Sequence, residues 1–332
     1  MPTLNTPTVL ILGARGRFGL AATRAFARAG WRVLAQVRPG PKGVAAFAGM
    51  SGVQALAQSL ESPAALTLAA KGATVVVHAL NPPYTNAQWT SVAPALLESS
   101  IQVTRQLGAT LMLPGNLYNF GATMPTDLTE STPQTASTVK GRSRVAMEER
   151  LVSAAARGDL RAVVIRAGDF FGSGTGTWFD QLITPKLARG RMTYFCALDI
   201  PTAWAYLPDL AQTFVDVANQ QAAKLAAFET FHFSGHNLSG HNWVDAMTDV
   251  ASEQGWLPTG GQLKVGTFPW PLIRIGGLFN PVWAALPEMR YIWQRPHRLN
   301  NRKLVALIGS EPHTPLPLAV QATLVDLGLI RP

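Results

Sequence analysis

The stretch TVLILGARGRFG, residues 8–19, decides the fold. Its first half contains a short apolar run, residues 9–12, which is typical of a buried strand and is stopped by Gly13. Residues 18–29 then have the apolar spacing of a helix, and Gly30 is a natural helix end. The order of strand, turn and helix predicts that the chain begins with a strand and a helix joined by a glycine loop.

Outward from this stretch, the alternation of strands and helices continues. Residues 31–37 form a second apolar run, which completes a βαβ unit of about 30 residues. Further apolar runs lie at residues 74–80, 109–113 and 161–166, with helical segments between them. Strands that are apolar on both faces and separated by helices indicate a parallel sheet. We therefore predict an α/β fold with a doubly wound, parallel, Rossmann-type sheet and a smaller C-terminal substrate lobe.

The pattern also predicts how the chain is divided. After about Phe171 it becomes irregular and rich in glycine, proline and aromatic residues, as expected of a lobe that faces a substrate. We expect a dinucleotide-binding core at residues 1–170 and a mainly substrate-binding lobe at residues 171–332. Segments near residues 204–217 and 228–234 are expected to return to the core.

The glycine loop GARGRFG has the GxxGxxG spacing of a dinucleotide site. Between a strand and a helix, such glycines permit a tight turn and let the backbone approach a pyrophosphate at the helix N-terminus. The alternative is a glycine-rich turn without a ligand. The predicted cofactor contacts in the loop are Gly13, Arg15, Gly16, Arg17, Phe18 and Gly19.

The end of the second predicted strand indicates which dinucleotide is bound. An NAD site typically carries an acid there, whereas this strand ends in Ala-Gln-Val followed by Arg38. Arg38 and Arg15 offer guanidinium groups suited to the 2′-phosphate of NADP, with Lys42 and Arg17 as weaker candidates. We expect NADP(H), with NAD(H) the less favoured cofactor; the alternative is that these arginines are simply solvated.

Several segments carry a family resemblance. They are GARGRFG (13–19), HALNPPY (78–84), LPGNLYNFG (113–121), IRAGDFFG (165–172), AYLPDLAQ (205–212) and the closing EPHTPLPLAVQATL (311–324). With them the chain resembles the extended short-chain dehydrogenase/reductase family, which includes the nucleotide-sugar epimerases and dehydratases. The resemblance covers almost the whole chain and implies the fold predicted above.

The chain departs from that family in its catalytic set. The resemblance implies a serine or threonine, and a tyrosine acid/base followed four residues later by a lysine that lowers its pKa and holds the ribose. Alignment on the turn at 120–121 places Asn116 at the serine position, Lys140 at the tyrosine position and Arg144 at the lysine position. Because arginine stays protonated near neutral pH, it is no ordinary acid/base, and the chain is an atypical member.

Lys140 and Arg144 share one predicted helix face because they lie four residues apart. Arg144 is the candidate to hold the cofactor ribose. Lys140 is a candidate proton donor to the substrate if its pKa is lowered, and we also count it among the cofactor-binding residues. The alternative is that both are exposed helix charges, with Arg144 paired to Glu148.

Tyr118 is the other candidate acid, because it follows Asn116 at a strand end, where catalytic groups of open α/β sheets gather. Asn116 is expected to orient the substrate. Tyr84 and Asp169 are expected to contact the substrate, and Arg295 to receive a phosphate. The alternatives are a buried structural tyrosine and a carboxylate that serves only in a salt bridge.

Composition restricts the functional classes. The single cysteine, Cys196, excludes an internal disulfide and a cysteine-based zinc site, and it suits a reducing compartment, so we expect a cytoplasmic protein. The net charge of +9 favours anionic ligands. The basic stretch at residues 290–303 comes without a recognition motif, so no nucleic-acid partner is expected. The histidines at 232, 236 and 241 lack a metal-site spacing, and no metal is expected.

Residues 270–293 are the nearest candidate for a membrane span, but charges and prolines interrupt them. No span is expected there, and the segment is interpreted as a buried helical lobe or a lid. The alanine-rich helix predicted over residues 140–157 is suited to pairing in a homodimer.

Two functions follow from these residues. The favoured one is an NADP(H)-dependent oxidoreductase, or an epimerase-like enzyme, that acts on a carbonyl, imine or activated alkene of a small molecule. The alternative is a regulatory sensor that resembles the NmrA-like relatives of the family and binds the dinucleotide without turnover.

Overall fold

The computed structural model describes residues 6–220 and 222–331. Its strands are β1 (Thr8–Leu12), β2 (Arg32–Val37), β3 (Val53–Ala57), β4 (Val75–His78), β5 (Thr110–Gly115), β6 (Asp127–Leu128), β7 (Arg161–Arg166), β8 (Asp169–Phe171), β9 (Arg191–Tyr194), β10 (Thr202–Tyr206), β11 (Phe228–His232), β12 (His236–Leu238), β13 (Lys264–Thr267) and β14 (Arg298–Leu299). Its α-helices are α1 (Arg17–Arg28), α2 (Pro41–Ala45), α3 (Pro63–Ala69), α4 (Asn86–Leu107), α5 (Val139–Ala156), α6 (Leu207–Ala218), α7 (Gly240–Glu253), α8 (Trp270–Gly276), α9 (Pro281–Ala285), α10 (Tyr291–Gln294), α11 (Arg302–Ile308) and α12 (Leu316–Asp326).

The central sheet has seven strands in the order β11-β7-β5-β4-β1-β2-β3. Each neighbouring pair is parallel, and β1, which is buried along its whole length, lies between β2 and β4. The parallel, doubly wound sheet predicted from the sequence is therefore confirmed. The sheet reverses its winding direction beside β1, where open α/β sheets place their ligands.

Helices cover both faces of this sheet. On one face α1 packs against α6, with the Phe18 and Phe214 rings 4.8 Å apart, and the other face carries α3, α4 and α5. Both α6 and β11 come from the part of the chain after Phe171, and β11 extends the sheet at its β7 edge.

A second core lies in the C-terminal lobe. It is built around buried aromatic side chains, among them Trp204 and Trp243, whose rings are 5.0 Å apart. The small sheet β12-β10-β8 belongs to this lobe, and β8 follows β7 after two residues. This short connection places the start of β8, and with it Asp169, at the carboxyl edge of the central sheet.

The segment at residues 270–293 is buried on one side only. Its helices α8 and α9 pack one side onto the lobe core, while Leu278 and Phe279 in the turn between them are exposed, so it is not a wholly buried lobe, and the alternative of a lid stays a prediction. Within the described ranges, no helix is both long and apolar enough to cross a membrane.

Candidate active site

A cavity of about 520 Å³ lies at the carboxyl edge of the central sheet. Its walls come from the glycine loop, from the segments that follow β4, β5 and β7, and from α5 and α9. The structure brings eight of the predicted site residues to this one cavity: Gly16, Arg17, Phe18, Tyr84, Asn116, Tyr118, Arg144 and Asp169.

The glycine loop is shaped by close backbone contacts. Gly13 has φ +75°, and a Cβ at Gly19 would lie 2.3 Å from the Gly13 carbonyl oxygen. Gln36 of β2 holds the loop in place, because its Oε1 accepts from the Gly13 N–H at 3.0 Å and its Nε2 donates to the Gln58 carbonyl at 2.7 Å. Gln36 is not among the predicted site residues, although an amide in a mostly apolar strand is a signal for such a role.

The start of α1 fits the pyrophosphate of a dinucleotide. The helix begins at Arg17, its N-cap Gly16 offers no side chain to the first N–H groups, and the first turn contains no acid. The unpaired N–H groups of a helix start attract anions. Because Gly16 is exposed and also lines the cavity, the backbone is accessible there to a phosphate.

The loop arginines occupy two different environments. Arg15 in the loop and Arg38 at the end of β2 are exposed. Arg17 instead donates from Nη2 to the Gly172 carbonyl at 2.7 Å, which links the loop to the segment after β8. Burial lowers the pKa of Arg17 to about 10, an effect that Asp180 partly offsets. The side chain of Lys42 lies outside the described residues.

Two tyrosines form a hydroxyl pair in the cavity. The Oη atoms of Tyr84 and Tyr118 are 3.2 Å apart, and Asn116 accepts from the Tyr118 backbone N–H at 3.1 Å. Burial raises the pKa of both tyrosines; Tyr118 raises the pKa of Tyr84 further, whereas the hydrogen bond with Tyr84 lowers that of Tyr118. Both hydroxyls are therefore protonated at neutral pH. One proton is shared within the pair, and the other remains available for a ligand.

Asp169 is the titrating group of the cavity. Burial raises its pKa to about 6, although a hydrogen bond from the Trp293 indole N–H, 2.6 Å long, opposes the shift. Asp169 thus changes charge close to physiological pH. Trp293, which orients this carboxyl group, was missed as a site residue.

Lys140 lies behind the cavity wall. It is fully buried, and its Nζ donates to Asn86 Oδ1 at 2.6 Å and to Glu288 Oε1 at 3.2 Å. The same ammonium lies 4.4 Å from the centre of the Tyr84 ring. Burial lowers the pKa of Lys140, and Glu288 opposes that shift. Lys140 is not among the residues that line the cavity, so the structure does not bring it there with the other candidates.

Arg144, one helical turn later, does reach the cavity. Its guanidinium lies over the Trp89 ring at 5.1 Å, and its Nε has no hydrogen-bond partner in the described part of the chain. The alternative of two exposed helix charges is wrong. Glu148, the expected partner of Arg144, instead pairs with Arg166 of β7 at 2.5 Å.

The remaining candidates lie elsewhere. Arg295 is exposed at the end of α10 and is not part of the cavity lining. His232 donates from Nδ1 to the Leu128 carbonyl at 3.1 Å, and His236 packs against His313. Among the residues that the structure describes, no group of three or more His, Cys, Asp or Glu side chains is arranged to hold a metal.

A protein-family model and several solved structures match the chain. Residues 7–260 match the model of the RmlD substrate binding domain. No curated protein matches the chain significantly in sequence.

Solved structures share the fold at low identity. A protein of Burkholderia cenocepacia J2315, provisionally assigned as an epimerase, is 20% identical with a TM-score of 0.72, covering 98% of each chain. The UDP-glucuronic acid 4-epimerase of Bacillus cereus, in complex with NAD, is 12% identical with a TM-score of 0.73, covering 97% of this chain and 98% of that one. The UDP-glucose 4-epimerase of Brucella ovis, in complex with NAD, is 14% identical with a TM-score of 0.70, covering 98% of each chain.

Proposed function

Since the chain belongs to the RmlD substrate binding domain family, and its cavity joins a glycine loop to a pair of tyrosine hydroxyls, we propose that it is an NADP(H)-dependent oxidoreductase. Family membership also confirms the resemblance to the extended short-chain dehydrogenases/reductases. The proposed substrate is a small molecule with a carbonyl, imine or activated alkene.

The hydroxyl pair carries this proposal. The chain lacks a tyrosine at the family's usual position, where Lys140 is held by Glu288. Tyr84 and Tyr118 place phenolic protons in the same cavity from two other elements, after β4 and after β5. A proton donor beside a dinucleotide site is what the reduction of a carbonyl, imine or alkene needs.

The proposed roles follow from position. The N-terminus of α1 would hold the pyrophosphate and Arg144 the ribose of a bound dinucleotide, which would supply hydride-transfer chemistry to this cavity. Tyr118 donates the proton to the substrate, while Tyr84 orients the Tyr118 hydroxyl through the hydrogen bond of 3.2 Å. Asn116 fixes the turn that carries Tyr118. Asp169 binds the substrate, as a hydrogen-bond donor below about pH 6 and as an acceptor above it.

The preference for NADP rests on charge. The first acid in the sequence is Glu61, so no carboxylate of the β1–α1–β2 unit is available for the ribose hydroxyls of NAD. Arg15 in the loop and Arg38 at the end of β2 are exposed and suit a 2′-phosphate. The Bacillus and Brucella structures contain NAD, so the preference is proposed from this chain's own residues.

Replacing Arg38 with aspartate tests this preference. The substitution removes a positive charge from the 2′-phosphate and adds a carboxylate for the ribose hydroxyls, so the ratio of NADPH to NADH affinity should fall at least about tenfold. Titration calorimetry with both cofactors measures the ratio. Arg32→Asp, at the other end of β2, is the matched control. Unchanged relative affinities in Arg38→Asp would contradict the assignment of this residue.

Turnover is tested by incubating the protein and NADPH with a panel of carbonyl compounds, imines and activated alkenes while following NADPH absorbance. Substrate-dependent oxidation, with stereospecific loss of deuterium from labelled NADPH, supports the oxidoreductase. Tight NADPH binding without oxidation by any member of the panel rejects it in favour of the second candidate.

That second candidate is a sensor of NmrA-like type. The observation that favours it is the ion pair of Lys140 with Glu288, because it gives the family's catalytic position a structural role. A sensor requires binding of NADP or NADPH without turnover.

A further inference from the structure

The C-terminal lobe carries a helical hairpin, which is formed by α8, α9 and the turn between them, residues 270–285. Its two helices pack closely, since a Cβ at Gly276 would lie 2.2 Å from an atom of the Trp283 ring. Asn280 in the turn accepts from the Val282 N–H at 2.9 Å and so caps α9. The hairpin is therefore one compact unit.

This hairpin is apolar on both of its sides. Trp270, Ile273 and Ala285 are buried on its inner side. Its outer side exposes Leu272 (63%), Ile275 (61%), Leu278 (79%), Phe279 (87%) and Trp283 (41%). A group of exposed apolar side chains marks an interaction surface.

The charges around the hairpin favour an anionic partner. The sequence has no acid between Glu253 and Glu288, and Glu288 is paired with Lys140. Lys264 and Arg274 in the same stretch are exposed. Exposed leucine, phenylalanine and tryptophan side chains together with basic residues are the composition of surfaces that rest in the headgroup region of a bilayer.

The hairpin also adjoins the cavity. Val282 of α9 lines the cavity, and its neighbour Trp283 belongs to the exposed side. We propose that the outer side of the hairpin docks on the surface of an anionic lipid bilayer, with the apolar side chains in the headgroup region and the basic side chains on lipid phosphates. The docked surface then lies beside the cavity. This docking does not depend on the proposed reaction.

Vesicle sedimentation of the intact protein, without cofactor or substrate, tests the proposal. The protein is expected to sediment with vesicles of phosphatidylcholine and phosphatidylglycerol, and less with phosphatidylcholine alone or at high salt. The double variant Leu278→Ser/Phe279→Ser should lower the partition coefficient about a hundredfold. Arg274→Gln should lower it about fivefold. The matched control is Leu68→Ser, which removes a leucine that is 77% exposed in α3, and it should bind like the wild type.

Circular dichroism and thermal melting check that each variant is folded, which is expected because the replaced side chains are exposed. Three results would overturn the proposal. They are the absence of wild-type binding to the anionic vesicles, equal binding by the double variant, and a dimer that does not sediment with vesicles and becomes monomeric in the double variant. The last result would assign the surface to a second copy of the chain.

Discussion

The two walls of the cavity are built in different ways. The wall at the glycine loop is made by backbone, since Gly13 and Gly19 are close to carbonyl oxygens and leave no space for a Cβ. The opposite wall is made by side chains from separate elements, in which Tyr84 follows β4, Tyr118 follows β5 and Asp169 begins β8. The fold therefore fixes the binding wall, whereas the chemistry at the other wall depends on single side chains that can be exchanged.

The sharpest test of this contrast is the removal of one oxygen atom from the side-chain wall. Tyr118→Phe should lower kcat about a thousandfold, because the proton donor is lost, and leave the affinity for NADPH unchanged. Steady-state kinetics and calorimetry measure the two effects. Tyr206→Phe, a tyrosine in the lobe core, is the matched control. An equal loss of NADPH affinity in Tyr118→Phe would show that the two walls are not separable.

Asp169 allows the same wall to be tested through pH. Its folded-state pKa of about 6 lies above the ordinary value of 3.8, so the folded state holds the proton more tightly and the resulting stability is lost as pH rises through 6. The full loss of unfolding free energy is about 3 kcal/mol, and about 1.4 kcal/mol of it occurs between pH 5 and pH 8. Asp169→Asn should remove this pH dependence and weaken substrate binding.

Urea unfolding of the wild type and of Asp169→Asn at several pH values measures that difference. The wild type should lose stability relative to the variant as pH rises from 5 to 8. A constant difference would mean that burial does not raise the pKa of Asp169.

The backbone wall is tested by a single methyl group. Gly19→Ala places a Cβ where only 2.3 Å separates it from the Gly13 carbonyl, so the loop must shift and NADPH should bind about a hundredfold more weakly. Gly266→Ala is the matched control, because its Cβ would meet its nearest neighbour, the Met192 carbonyl oxygen, at 3.8 Å. Calorimetry compares the two variants. Unchanged affinity in Gly19→Ala would show that the loop backbone does not define the cofactor site.

Replacing Lys140 tests whether this residue has a structural role or a catalytic one. Lys140→Met leaves Glu288 without its ion pair, and because that carboxylate is 24% exposed we expect a cost of about 2 kcal/mol in unfolding free energy. The kcat of the folded fraction should stay within about threefold of the wild type, since Lys140 does not line the cavity. A large fall in kcat with unchanged stability would return Lys140 to the catalytic set.

Sequence patterns predicted the features that depend on the course of the backbone. The apolar runs predicted the parallel sheet, because strands buried on both faces need them, and the loop spacing located the tight turn at Gly13. The polar contacts in the cavity and behind its wall were not predictable from spacing. Lys140 and Glu288 are 148 residues apart in sequence, and Asp169 and Trp293 are 124 apart, so only the folded chain brings them together.

The pair of Lys140 and Glu288 also has a consequence for motion. Lys140 belongs to α5, beside the central sheet, and Glu288 follows the helical hairpin of the lobe. A movement of the hairpin away from the sheet would separate Lys140 from Glu288 and leave the Lys140 ammonium buried against the Tyr84 ring. The pair therefore ties the end of the hairpin to α5 and to the cavity wall that Tyr84 forms.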